Sequence, residues 1–328
     1  VPLIKSDESR LPTYHLAHVV DDYLMQATII LRGEEWLPST PLHIEIAESL
    51  GVRPLQYGHT PVISIVGETG GKRKLSKRKD PEADVAYWHA AAYPIKAVKA
   101  YLLGLANSNF EDWYRENPNS SLEDFPFTLE RLRTSRSPLL DMKKVEDYSK
   151  DEIARMSQAS FNRRVFAWCE LHDQKLFQAM TSNPKYTEEV LSIERGGEKP
   201  RKDVAKWSDA PEQFGYFYDE IFSQSTKEHL ELNSEQINEA CAEFIKTYDH
   251  AANKETWFDN MKQAAESAGF ALDRKDLKVN PEQYKGVLAD FAKIIRVTLT
   301  GKTRTPDLYE IMQIMGDDRV KSRLSRRY

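Results

Sequence analysis

The chain has 328 residues, of which 40% are hydrophobic, 30% charged and 10% aromatic, and its formal charge at pH 7 is -5. That length exceeds one ordinary core and accommodates two or three domains, with the composition of a soluble globular protein. No apolar run approaches the length of a membrane span and the N-terminus lacks the order of a secretory leader, so a cytoplasmic location without a membrane partner is expected.

From the N-terminus, Leu16, Val19, Val20, Tyr23 and Leu24 fall on one helical face and predict a helix from about Tyr14 to Met25. The short apolar run ATIIL, residues 27 to 31, predicts a buried strand ending at Arg32-Gly33. Ser39-Thr40-Pro41 reads as a cap with proline in the first turn of a helix that carries Leu42, Ile46 and Leu50 and closes at Gly51. VISIV, residues 62 to 66, is the second strand candidate. Helix, strand, helix, strand is the order of the back half of an open α/β sheet, whose ligands sit beyond the carboxyl ends of the strands.

Beyond residue 80 the strand signals fade. The segments read as helices broken at Asn117-Pro118, Asn183-Pro184, Gly196-Gly197 and Asn280-Pro281. Cys169 and Cys241 stand far apart and outside any CxxC pattern, so both are expected as reduced thiols on helices, with no zinc site or other structural metal. Near the C-terminus, Thr305-Pro306-Asp307-Leu308 predicts a helix start with proline in the first turn and Leu308, Ile311, Met312 and Met315 on its buried face. The cations of the terminal RVKSRLSRRY fit an exposed helix face as well as an RNA contact.

The segment GGKRKLSKRKD places six cations between Lys72 and Lys79 of an acidic chain. A solvated loop would explain a random cation run. A nuclear-localisation or nonspecific nucleic-acid patch gives no reason for Leu75 and Ser76 at its centre. A P-loop fails because Arg73 stands where the hydroxyl residue belongs. A mobile phosphate-binding loop at a strand end, meeting a triphosphate with lysine ammonium groups, fits the charge and the position together.

Lys74-Leu75-Ser76-Lys77-Arg78 resembles the KMSKS loop of the class I aminoacyl-tRNA synthetases in its KLSKR form. LPTYHLAHVVDDYLMQATIILRGEEWLPSTPLHIEIAESLG, residues 11 to 51, resembles the segment upstream of that loop in bacterial-type glutamyl-tRNA synthetases, and IIRVTLTGKTRTPDLYEIMQIMGDDRVKSRL resembles the end of their anticodon-binding region. The resemblance implies an α/β remnant, the second half of a Rossmann-type catalytic domain, over residues 1-80. A mostly helical stem-contact region over 81-160, which includes SRSPLLDMKKVEDYS, and an all-α anticodon-binding domain over 161-328 follow.

Position by position, the resemblance makes Lys74 and Lys77 catalytic and sets Glu35, Trp36, Leu75, Ser76, Lys77 and Arg78 around ATP with its Mg2+. Tyr14, His18 and Arg32 line the glutamate pocket, and Arg296, Thr305, Pro306 and Leu308 contact the anticodon. An arginine suits a carboxylate because its fork binds both oxygens. Packing is the competing explanation for Tyr14, Trp36, Pro306 and Leu308. Two departures from the family's pattern stand out: His18 replaces a polar amide, and the lead from Gly67 to Arg73 differs from the usual DGKK. The HIGH motif is absent, since PLHIE, residues 41 to 45, lies inside a proline-started helix and lacks the glycine. That motif is expected N-terminal to Val1, which makes the chain a truncated piece, inactive alone.

The implied activity is ATP-dependent formation of glutamyl-adenylate and transfer of the glutamyl group to the 3' end of glutamate tRNA, by a monomer. A noncatalytic tRNA-binding or interaction protein using only the helical region is the alternative, and an unrelated nucleotide-binding protein ranks last because it ignores the distal motifs.

Overall fold

A computed structural model of the chain describes residues 1–67, 70–132 and 138–326 and divides into two compact units, Val1–Glu152 and Ile153–Tyr328. Ser135, Arg136 and Ser137 of the expected stem-contact segment, and the terminal Arg327 and Tyr328, lie outside the described residues.

The first unit opens with helix α1 (Tyr14–Leu24), strand β1 (Ile29–Gly33), helix α2 (Thr40–Ser49) and strand β2 (Gln56–Thr60). Strands β1 and β2 pair in parallel, with Arg32 opposite His59, so β1-α2-β2 is one βαβ unit. Strand β1 lies two residues later than the apolar run predicts. The second parallel strand is not VISIV but QYGHT, a correction with a clear physical source. QYGHT has no aliphatic residue, and its strand character comes from pairing with β1. Gly58 fits there because a Cβ would stand 2.6 Å from the Leu31 side chain. VISIV instead supplies β3 (Ser64–Val66), which pairs antiparallel with β4 (Lys72–Lys74). The basic segment is therefore the second arm of a hairpin and the turn beyond it.

Helices α1 and α2 pack through Val19, Ile46 and Ala47, flanked by Leu16, Leu42 and Val52. The expected apolar faces are only partly buried: Tyr23, Leu24 and Leu50 are exposed. The rest of the unit is helical and better filled. Trp88, Tyr93, Val98, Tyr101 and Val145 form one cluster, and Ala100, Phe110, Tyr114 and Phe125 another, on opposite faces of the helix Ile95–Ala106.

Every regular element among the second unit's described residues is a helix, and an isolated bridge joins Ala271 and Val287. Side-chain caps start its helices: Ser157 accepts from Ser160 N–H, Asp173 from Leu176 N–H and Asn183 from Tyr186 N–H. The helix near the C-terminus is Leu308–Met315, capped by Asp307, so Pro306 precedes the cap rather than occupying the first turn. Its face of Leu308, Ile311, Met312 and Met315 is buried as the spacing predicts. Cys169 and Cys241 are free, buried and on helices, and burial pushes the Cys169 thiol up to about 12. No helix among the described residues is long and apolar enough to cross a membrane.

Candidate functional site

Two groups of side chains gather at the carboxyl ends of β1 and β2. The first surrounds Arg32. Because strand side chains alternate, Tyr57 and His59 share one face of β2 and both reach Arg32. The guanidinium lies 4.6 Å from the Tyr57 ring centroid, and Nε donates to His59 Nε2 at 3.1 Å. Its Nη1 meets His43 Nδ1 at 2.9 Å, and its Nη2 donates to Thr40 Oγ1 at 2.8 Å and to the Trp36 carbonyl at 3.3 Å. His43 is fully buried on α2 and meets His15 Nδ1 at 2.9 Å through Nε2.

Tyr14 and His18, one turn apart on α1, stack with ring centroids 5.4 Å apart, and Tyr14 also packs 4.3 Å from the Trp36 ring. His18 binds Asp22 at 2.5 Å through Nδ1 and meets the Tyr57 hydroxyl at 3.3 Å through Nε2. Burial lowers the His18 pKa despite the raising effect of Asp22. Burial, with His18, Arg32 and His15 adding to it, pushes His43 down to about 4. Burial and Arg32 also lower His59. The two imidazoles that touch Arg32 are therefore neutral at physiological pH, and no carboxylate among the described residues touches its guanidinium, Asp22 being held by His18.

The second group is the basic turn. Glu35 and Trp36 are neighbours in one short 3-10 helix but serve different groups. Glu35 turns to the basic segment, where it binds Lys74 Nζ at 2.6 Å, while Trp36 joins the Arg32 group. Glu35, Lys74, Leu75, Ser76 and Lys77 line an open cleft of about 640 Å³ whose wall includes Gly33 and Thr60 from the strand ends.

The turn is held from below. Asp80, 5% exposed, accepts from Arg73 Nη1 and Nη2 at 2.6 and 2.5 Å and from Ser76 N–H at 2.8 Å. Arg73 holds its carboxyl down to about 2, so the clamp stays charged through the physiological range. With Arg73 tied to Asp80, Lys77 and Arg78 stand exposed at the turn. An open cleft edged by lysines at a strand end can receive an anionic phosphate chain.

In the second unit, Arg296 and Leu308 line an open cleft of about 600 Å³ with Lys254, Trp257, Phe258 and Asp307. Arg296 Nε is buried without a hydrogen-bond partner among the described residues. Asp307 binds Lys254 at 2.9 Å, and its N–H donates to Glu194 Oε1 at 3.0 Å. Pro306 is separate from this cleft and lines a small cavity with Phe161, Arg195, Arg201 and Phe214. Thr305 is half-buried, its hydroxyl donating to the Pro306 carbonyl at 3.0 Å. The arrangement offers cations and exposed rings such as Phe258, the pairing that unstacked bases accept.

The sequence pattern does not single out His15, His43, Tyr57, His59 or Asp80. For Tyr57 and His59 the period of two was present, but between polar neighbours. Of the terminal cations, Lys321 and Arg326 are exposed, whereas Arg323 departs from that expectation: it is 1% exposed, binds Asp219 at 2.6 Å and donates to the Tyr216 and Leu299 carbonyls. It is an interior group, neither a solvated face nor an RNA contact.

Residues 2–113 match the family of class I tRNA synthetases (E and Q), catalytic domain, and residues 281–328 match the anticodon binding domain. The chain is 40% identical over 331 residues to a glutamate–tRNA ligase of Clostridium beijerinckii and 42% identical over 328 residues to one of Clostridium perfringens, covering 99% of this chain in each case. It spans 59% of the length of those relatives. A solved structure of a glutamate tRNA ligase from Elizabethkingia meningosepticum in complex with its amino acid shares the fold, with a TM-score of 0.65 at 18% identity over 98% of this chain and 60% of that one. Catalytic-domain and anticodon-domain matches toward the two ends are joined by similarity along nearly the whole length, so this chain is similar to class I tRNA synthetases at both ends and to glutamate–tRNA ligases throughout.

Proposed function

We propose that the chain supplies the strand-end half of the ATP and glutamate site, together with the tRNA-binding helices, of a cytoplasmic, monomeric glutamate–tRNA ligase. In this reading residues 1-80 belong to the catalytic domain, 81-160 contact the tRNA stem and 161-328 bind the anticodon. The observation that carries it is the pairing of a guanidinium held only by uncharged acceptors with a lysine-edged cleft at the ends of the same two strands.

Arg32 receives the side-chain carboxylate of glutamate, with Tyr14 and His18 beside it. Lys74 and Lys77 meet the phosphates of Mg2+-bound ATP, and Lys77 stabilises charge developing on the departing pyrophosphate. Leu75, Ser76 and Arg78 shape the phosphate side of the site, Glu35 holds Lys74 at rest, and Trp36 supports the glutamate pocket. Arg296, Thr305, Pro306 and Leu308 form the anticodon end, with Arg296 reading a splayed base and Leu308 packing beneath it.

The test is Lys77→Ala in a protein of the relatives' full length, read by ATP–pyrophosphate exchange with tRNA present. The rate is expected to fall about 100-fold, roughly 3 kcal/mol, the effect of losing one preorganised charge-stabilising donor. An unchanged rate would return the basic turn to a solvated loop.

A further inference from the structure

The hydrogen bonds of Arg32 have an unusual common feature. A partly buried guanidinium is most often neutralised by a carboxylate, which binds its fork and removes its charge. Here the partners are Thr40 Oγ1, the Trp36 carbonyl and two imidazole nitrogens, His43 Nδ1 and His59 Nε2. All are uncharged acceptors.

Guanidinium N–H groups only donate, so each imidazole nitrogen facing Arg32 must be unprotonated. That requirement fixes both tautomers. His43 carries its proton on Nε2 and donates it to His15 Nδ1, and His59 carries its proton on Nδ1. Three donor directions of the fork are held by side chains from α2 and β2, and the charge is left intact.

We propose that His43 and His59 are positioning residues, neutral acceptors that orient the Arg32 fork while reserving its charge for a substrate carboxylate. The inference rests on the reading of Arg32 as the carboxylate receptor. A carboxylate in either place would hold the arginine equally well and would cancel the charge that recognises the substrate. Protonation of either imidazole would turn its acceptor into a donor aimed at a cation.

The groups that bear on this are known from each packed element. His15, His18 and Tyr14 face His43 from α1, with Asp22 held by His18, and Arg32 and Tyr57 face it from β1 and β2. His59 meets Arg32, Thr40 and the Tyr57 ring. Burial holds both imidazoles below the ordinary histidine value, so acceptor function persists at neutral pH and is lost as the medium is acidified.

The experiment compares His59→Ala, His59→Gln, His43→Ala and Arg32→Gln in the full-length enzyme, measuring KM for glutamate and for ATP separately. The alanine variants are expected to raise the glutamate KM about tenfold, the loss of one hydrogen bond to a charged group, and to leave the ATP KM within about twofold. His59→Gln, whose amide oxygen restores an acceptor, is expected to recover most of the loss. Nitrogen-15 imidazole spectra of the 328-residue chain give a second measurement that survives misfolding of the buried His43 variant: the neutral His59 should carry its proton on Nδ1, the tautomer that an imidazole in water disfavours.

A glutamate KM unmoved by His59→Ala while Arg32→Gln raises it overturns the positioning role alone. A KM unmoved by Arg32→Gln overturns the carboxylate reading and the inference with it. A proton on His59 Nε2 at neutral pH overturns the inference directly.

Discussion

Two arginines, one in each unit, are held by opposite means. Arg32 donates to uncharged acceptors and keeps its charge, while Arg323 binds the Asp219 carboxylate and two backbone carbonyls and surrenders it. Burial alone would push the Asp219 carboxyl up, but Arg323 and Arg319 together outweigh it and hold the group below its ordinary value. The contrast separates two uses of one side chain. A charge that organises a helical core is neutralised inside the fold, because an unpaired buried charge is costly. A charge that is to meet a substrate is oriented without being neutralised.

The sharpest way to break this comparison is to remove Arg323. Arg323→Ala leaves the Tyr216 and Leu299 carbonyls without their donor and Asp219 without one of its two arginine partners. We expect a loss of about 2 to 4 kcal/mol, chiefly from two buried carbonyls left without a charged donor, because Asp219 is 45% exposed and keeps Arg319, and it is seen as a lower urea midpoint for the helical unit. Arg32→Ala should cost clearly less, since its partners are neutral and its removal strands no charge. Equal losses would mean that Arg32 is a structural group as well, and the distinction would fall.

Residues differ in how far sequence could reveal these roles. The apolar periodicity finds α1, α2 and Leu308–Met315, although only the last buries its whole stripe while α1 and α2 bury part of theirs. It misses β2, since Gln56–Thr60 gains its strand character from the ladder to β1 rather than from an apolar run. Likeness to a known loop draws attention to Lys74 and Lys77, whereas Asp80, which shapes that loop from beneath, has no signature beyond being one acid after many cations. PLHIE reads as part of a proline-started helix, and His43 with it. It is on that helix, and the helix delivers it to Arg32. Arg323 shows the converse, an arginine in a cationic tail that long-range pairing with Asp219 takes into the interior.

A smaller effect tests the half-buried arginine at the helical unit's own cleft. Arg296 resembles Arg32 in standing at a cleft and in having no carboxylate partner among the described residues, so it is expected to act in recognition. Arg296→Ala should reduce the preference for the cognate anticodon by about 1 to 3 kcal/mol, the range for one base stack or base-edge contact. Filter binding of cognate and anticodon-swapped tRNA at several salt concentrations measures it. Affinity should fall with salt for both RNAs as counterion release weakens, while the preference changes little. A loss shared equally by both RNAs would assign Arg296 to phosphate contact instead.

The smallest expected effect concerns Glu35, which does neutralise a cation of the proposed active site. Its bond to Lys74 spans 2.6 Å between side chains that are 42% and 57% exposed. An exposed pair of this kind contributes at most about 1 kcal/mol, so a phosphate chain carrying several charges can displace it. The hydrogen bond from Lys74 is the first cause of the lowered Glu35 pKa, so the carboxylate is ionised at neutral pH. A depressed carboxyl pKa adds stability above the unfolded value, and that stability is lost as pH falls through the folded value, so the pair weakens only in acid. Glu35→Gln should therefore change the urea midpoint hardly at all, by less than about 1 kcal/mol at pH 7, and should tighten binding of inorganic tripolyphosphate by a fewfold. Calorimetry with tripolyphosphate in low salt reads this directly. Weaker binding would show that Glu35 positions Lys74 for the phosphates rather than holding it back, and the line between neutralised structural charge and reserved functional charge would then have to be drawn at Arg32 alone.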